Sequence, residues 1–187
     1  MDGIEIDTLA NRRSRSWSHA ALAGRLAWAL CRPAFRLSPR PLWGWRNLML
    51  RAFGARVGAG VRVAPSVRIA VPWRLVLGDR VGVGERAILY SLGPITIGAD
   101  ATVSQGAHLC AGTHDHRHPA MPLLRPPISI GAGAWICADA FVGPGVSVGD
   151  MAVVGARAVA VRNVPAATVV AGNPARPVAV RTLEAGS

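Results

Sequence analysis

The sequence predicts an all-β chain, a parallel β-solenoid with a short helical cap at its start, and three observations lead there. From Val57 onward an aliphatic residue opens a six-residue unit, usually followed by a small one: VGAGVR, VAPSVR, LGDRVG, VGERAI, IGADAT, VSQGAH, LCAGTH, then IGAGAW, ICADAF, VGPGVS, VGDMAV and VGARAV. Val, Ala, Leu and Ile dominate beside 21 Gly and 14 Pro, a composition for many short strands joined at tight corners. Helical periodicity occurs only ahead of the repeat.

Residues 1 to about 16 are polar and are expected to fray. Trp17 to Leu37 sets Trp17, Ala21, Leu22, Leu26, Trp28, Leu30 and Phe35 among arginines, which predicts one amphipathic helix stopping near Pro33. A second short helix is expected over Leu42 to Phe53. Residues 1–56 then form an arm that covers the open first coil, as terminal repeats require, or rests on a membrane surface through Trp and Arg.

The repeat itself cannot be helical, because apolar residues six apart drift around a surface of period 3.6 and never form a stripe. Three units, each a short strand and a corner, close a triangular coil of about 18 residues in which the opening aliphatics stack inside. Val103, Ile136 and Val142 are then core, and two-residue slips such as Leu89 to Ile97 bulge from corners. The solenoid domain is expected over 57–178, with a loop insertion at 115–123 and a C-terminal tail at 179–187.

All 21 basic residues are Arg, against 10 acids, for a net charge of +11. Ten of those arginines and no acid lie between Thr8 and Arg56. The charge therefore belongs to the arm, and with no recognition motif or interleaved aromatics in the repeat, nucleic acid is not the expected partner. The cysteines, Cys31, Cys110 and Cys137, show no CxxC spacing, so neither disulfides nor a zinc site is expected and a reducing cytoplasm fits. The apolar run Ala20 to Leu30, broken by Arg25, falls short of the roughly 20 residues that span a bilayer and lacks a signal-cleavage context.

The stretch DHRHPAMPL is where the repeat opens, and chemistry is expected there. His114 closes LCAGTH, at the point where coil gives way to loop. A histidine, with an ordinary pKa near 6.5, suits removal of a hydroxyl proton at neutral pH. Asp115 is a candidate to touch an acceptor or orient a neighbour, against plain loop solvation, because adjacent residues of extended chain point apart. His116 and His118 alternate with His114, yet the stretch ends in Pro119 and has no second-shell pattern, so no metal is expected. His108 falls on another coil face and reads as structural or as facing a subunit neighbour.

The segments VPWRLVLGD, YSLGPITIG, SQGAHLCAGTHDHRHPAMPLLRPPI, GAWICADAFVGPGVSVGD and AGNPARPV, within about residues 41 to 178, resemble the left-handed β-helix hexapeptide acyltransferases. The likeness is greatest to the galactoside, maltose and nodulation-factor acetyltransferase group, and especially to the colanic-acid type. The left hand of the coil is implied by this resemblance alone, since ordinary crossovers favour the right hand. So are several roles: His114 as base, acetyl-CoA as acyl donor, Ala138 and Ala156 as backbone positions along the pantetheine arm, and Trp135 beside the same groove. Arg162 and Arg176 match basic residues near the nucleotide. Tyr90 and Ser91 stand where this family has Tyr-Asn at the acceptor; Ser91 departs from it, and a hydroxyl lacks an amide's paired donor and acceptor.

The implied protein is a homotrimeric O-acetyltransferase acting without a covalent intermediate on a sugar or lipid-linked sugar in envelope or exopolysaccharide synthesis. It would be cytoplasmic, with weak attachment to the inner membrane face. Two other readings share the coil: a metalloenzyme of the carbonic-anhydrase type, which needs His ligands spread over coil faces, and a non-catalytic scaffold, which needs no histidine loop.

Overall fold

The computed structural model describes residues 6–13 and 17–183. From Arg56 the chain winds into a parallel solenoid of three faces. The first face carries Arg56–Val57, Leu75–Leu77, Ile95–Ile97, Ile128–Ile130 and Ser147–Val148. The second runs from Arg62–Val63 to Thr168–Ala171, and the third from Arg68–Ile69 to Val159–Ala160. Partners on the first face advance from Arg56 to Val76 to Thr96, two coils of 20 residues, then to Ser129 across an insertion, then to Ser147 after only 18. The extra residues of the early coils lie between Ile69 and Leu75 and between Tyr90 and Ile95, both at the edge joining the third face to the first. The expected slips do bulge from corners, and the large insertion opens the same edge.

The opening aliphatics stack inside in columns, as the six-residue period demands: Val63, Val83, Val103, Ile136, Val154 and Val170 are all buried beneath the second face. Glycine follows several of them for a steric reason. A Cβ at Gly78 would stand 2.6 Å from the Ala99 nitrogen of the next coil, and one at Gly98 would stand 2.6 Å from that of Ala132. Coil spacing of about 4.8 Å leaves no room for it.

Three helices precede the solenoid. The first, α1 (Thr8–Arg13), occupies a region expected to fray; residues 1–5 and 14–16 of that region lie outside the described residues. Helix α2 (His19–Arg36) is N-capped by Ser18, whose hydroxyl accepts from the Ala21 N–H at 3.2 Å. It runs through Pro33 by one turn rather than stopping there. Proline removes one donor but leaves the carbonyl free, and Leu37 N–H donates to Pro33 O at 2.8 Å. Its buried residues Trp28 and Phe35 dock on the third face, with Trp28 Nε1 donating to Ile69 O at 2.9 Å.

Helix α3 (Trp43–Ala52) closes the open end of the first coil. The edge strands there would expose unpaired carbonyls. Asn47 Nδ2 donates to Val61 O at 2.8 Å, and Arg51 Nη2 to Val57 O at 2.7 Å. Arg46 is fully buried. Its guanidinium donates to Val63 O at 2.7 Å, Ser38 Oγ at 2.7 Å, Pro39 O at 2.9 Å and Arg40 O at 2.5 Å, and lies over the Trp43 ring. Burial pulls its pKa below the arginine norm, partly opposed by Glu85. The capping role of the arm is thus carried partly by arginines that composition alone places in solvent.

At the far end Arg176–Val180 folds back antiparallel on Thr168–Ala171, and Arg181 continues the attachment through Arg181 N–H to Ala167 O at 2.7 Å. The tail expected from residue 179 is therefore part of the solenoid's closing strand through Arg181. Among the described residues no helix is long and apolar enough to cross a membrane.

Candidate active site

After His108–Cys110 the chain leaves the third face and returns to the first only at Ile128. Between them Thr113–His114 pairs antiparallel with Leu123–Leu124, so the insertion is a hairpin with a loop at its tip. It opens two residues before His114, at Gly112. His114 thus stands on the outgoing strand of the hairpin instead of ending a regular coil.

Within this loop Asp115 N–H donates to Pro122 O at 3.0 Å and Met121 N–H to His118 O at 2.8 Å. These bonds turn the Met121 carbonyl toward the histidine. His114 Nδ1 lies 2.6 Å from Met121 O. A carbonyl can only accept, so the proton of the neutral ring sits on Nδ1 and Nε2 keeps its lone pair. A base needs that tautomer.

The same carbonyl has a second donor. Asn11 Nδ2 on α1 lies 2.6 Å from Met121 O and 2.6 Å from Ala120 O, and Asp7 N–H donates to Pro119 O at 3.0 Å. Met121 holds a left-handed φ of 41°, costly for a residue with a side chain, at the place where Asn11 clamps it. The arm and the insertion enclose a cavity of about 340 Å³ lined by Thr8, Asn11, Arg12, His114 and Met121. Nothing in the sequence marks Asn11 for this role, because its partners stand about 110 residues away.

The other loop residues act locally. Asp115 Oδ1 accepts from the Arg117 N–H at 3.0 Å and His118 Nδ1 from the Ala120 N–H at 3.1 Å. Among the described residues no group of three His, Cys, Asp or Glu side chains is placed to hold a metal. Cys110, at the root of the hairpin, has its thiol pushed up by burial and set against Gly112 O, so it is not poised as a thiolate nucleophile.

Tyr90 and Ser91 part company. Tyr90 is 40% exposed and packs near the hairpin root, where a Cβ on Gly112 would meet its ring at 3.3 Å. Ser91 is fully buried, its hydroxyl accepting from Val71 N–H and donating to Val71 O, both at 2.9 Å. Ser91 ties two coils together and does not face an acceptor, which corrects the expectation drawn from its position. The His108 ring lies edge-on between Tyr90 and Phe141, its Nε2 buried with no hydrogen-bond partner among the described residues, and burial pulls its pKa down.

The residues assigned to the donor fall on two edges of the prism. Ala138 and Ala156 occupy successive corners between the second and third faces, joined by Arg157 N–H to Ala138 O at 2.9 Å. Trp135 leads into that edge from the second face, 45% exposed, its Nε1 donating to Ser104 Oγ at 2.8 Å. Arg162 lies instead on the insertion edge, exposed, two coils beyond the hairpin, and Arg176 on the exposed closing strand. A single chain does not bring His114 together with Trp135, Ala138 and Ala156.

No model of a protein family matches this chain. The colanic acid biosynthesis acetyltransferase named WcaF, from Escherichia coli (strain K12), is 46% identical over 155 residues, covering 83% of this chain and 85% of its own. The chain belongs to that family of hexapeptide-repeat acetyltransferases. Solved structures agree on the fold. A maltose O-acetyltransferase from Clostridium difficile 630 superposes with a TM-score of 0.80 at 21% identity, over 89% of this chain and 90% of its own. A galactoside acetyltransferase in complex with coenzyme A superposes with a TM-score of 0.81 at 22% identity, over 89% and 85%. The family fold is the left-handed parallel β-helix, and the chain is an acyltransferase.

Proposed function

We propose that this acyltransferase transfers acetyl from acetyl-CoA to a hydroxyl of a sugar or lipid-linked sugar used in exopolysaccharide or cell-envelope synthesis. The observation that carries the reading is the 2.6 Å contact of His114 Nδ1 with Met121 O, which leaves Nε2 as an acceptor at the cavity beneath α1. Nε2 takes the acceptor's hydroxyl proton as its oxygen attacks the thioester carbonyl. The tetrahedral oxyanion collapses, the C–S bond breaks, and the imidazolium returns the proton to the departing sulfur. Transfer is direct, without an acyl-enzyme.

Acetyl-CoA suits a groove bordered by Trp135, Ala138 and Ala156, with Arg162 and Arg176 for its phosphates. Because Trp135, Ala138 and Ala156 occupy a different edge of one solenoid from His114, a complete site pairs one copy's hairpin with a neighbour's groove. That supports a homotrimer with three such seams. Tyr90 and Asp115 border the acceptor side. The chain acts in the cytoplasm, where acetyl-CoA is made. The Trp- and Arg-bearing arm associates weakly with the anionic inner membrane face, each charge contributing about 1 kcal/mol before screening by salt.

The test is release of free thiol from acetyl-CoA across a panel of sugars, with His114→Ala beside the parent. Loss of a general base lowers turnover about 10²- to 10⁴-fold, some 3 to 5 kcal/mol of barrier. A folded His114→Ala protein within tenfold of the parent would overturn the mechanism.

A further inference from the structure

Helix α2 does not lie flat on the third face. Two cavities of about 450 and 600 Å³ run along it and share Trp28, Arg32, Ile69, Ala70 and Tyr90, so they form one continuous groove. Its floor is apolar. Its rim carries Arg25, Arg32, Arg36 and Arg68, and among the described residues no carboxylate lines either cavity. At one end the guanidiniums of Arg25, Arg74 and Arg125 gather on the Trp17 ring, at 4.5, 5.2 and 4.2 Å from its centroid. Burial, and next the like charge of Arg125, pull the pKa of Arg74 down. Three guanidiniums are thus concentrated on one ring at this end of the groove.

Leu22 and Leu26, one turn apart on α2, are both largely exposed and line the same groove. Guanidiniums present planar forks of N–H donors suited to phosphate oxygens. An apolar floor beside them suits a hydrocarbon chain. At Tyr90 the groove reaches the root of the hairpin that carries His114. Cationic rim, apolar floor and an opening toward the base describe the binding surface of an amphiphile whose phosphate lies between a chain and a sugar.

We propose that this groove holds the phosphate or diphosphate, and the adjoining apolar chain, of a lipid-linked acceptor glycan, presenting its sugar toward His114. The assignment rests on the acetyltransferase reading for its direction toward the base. Its ligand chemistry rests on the groove alone. The acceptor class is thus a phospholipid-type sugar carrier rather than a free sugar.

Geranyl diphosphate is the probe, titrated into the full chain by calorimetry and by tryptophan fluorescence, since Trp17 and Trp28 line the groove. It is expected to bind at least tenfold more tightly than either geraniol or inorganic pyrophosphate, each of which offers half of the chemistry. The double variant Arg32→Ala/Arg68→Ala should weaken it at least tenfold, and Arg32→Gln/Arg68→Gln, which keeps a hydrogen-bond donor but not the charge, should do the same if charge is responsible. Circular dichroism and the melting temperature verify that both variants fold.

Equal affinity of parent and variants, or geraniol matching geranyl diphosphate, would overturn the assignment. So would binding to phosphatidylglycerol vesicles that geranyl diphosphate fails to displace, which would make the groove a membrane headgroup site. Tight geranyl diphosphate binding with no acetyl transfer to any sugar would support the groove while retiring the enzymatic reading.

Discussion

Asn11→Ala tests whether the arm serves the base as well as the coil. In the folded chain the Asn11 amide gives hydrogens to two successive carbonyls, Ala120 and Met121, each at 2.6 Å, and the second of these also receives His114 Nδ1. Each bond is worth about 1 kcal/mol net. Removing both frees a residue held at φ 41°, whose left-handed backbone itself costs about 1 to 2 kcal/mol to maintain. The loop loses roughly 2 kcal/mol of preference for the conformation that aims the ring. At 1.4 kcal/mol per tenfold this caps the loss of turnover at about 30-fold, well short of that from deleting the base. The assay is single-turnover acetyl transfer at saturating acetyl-CoA. The Michaelis constant for acetyl-CoA should hold, because Trp135, Ala138 and Ala156 stand on another edge. Asn11→Asp sharpens the test: a carboxylate facing the same carbonyls repels them and favours a charged imidazole, so the acidic limb of the pH–rate profile should move to higher pH. Parent-like turnover in Asn11→Ala, together with an unmoved profile in Asn11→Asp, would refute the positioning role and leave Asn11 as an anchor for α1.

Gly78→Ala should destabilise by about 2 kcal/mol, since its Cβ would stand 2.6 Å from Ala99 N and overpacking of this kind costs 1 to 3. Gly44→Ala on α3, with nothing within 4 Å, should instead stabilise by up to about 1 kcal/mol; thermal melts compare the two. Arg46→Leu strips donors from Val63 O, Ser38 Oγ, Pro39 O and Arg40 O, and should lower stability by about 3 kcal/mol in urea unfolding. His108 makes stability depend on pH. Its native pKa lies below the unfolded value near 6.5, so stability is full above about pH 6.5 and falls as acid protonates the unfolded chain, down to the lower native value. His108→Leu should remove that part of the acid slope.

How much was legible in advance depended on the range of the interaction. The inward columns follow from a period of six, because every coil repeats the same local steric problem, and residues such as Val103, Ile136 and Val142 could be placed inside one unit at a time. His114 stood out because it sits where that period fails. Helix ends were legible only to within a turn: Pro33 lies inside α2, since losing one donor is tolerated when tertiary contacts of Phe35 hold the next turn. Ser91 was misplaced because its two bonds run to Val71, one coil away, and no local pattern says which way a bulge turns its hydroxyl.

The sequence by itself determined the solenoid, its buried columns, the place along the chain at which it opens and the histidine beside that opening, because each follows from neighbours a few residues apart or from the likeness of whole segments. Only the tertiary structure decided that Arg46 is a buried clamp, that Asn11 braces the carbonyl behind His114, and that arginines of α2 share a groove with Tyr90. Those contacts join residues from 6 to about 110 positions apart. A hydrogen-bond donor announces its type in the chain, but its partner exists only once the coils have stacked.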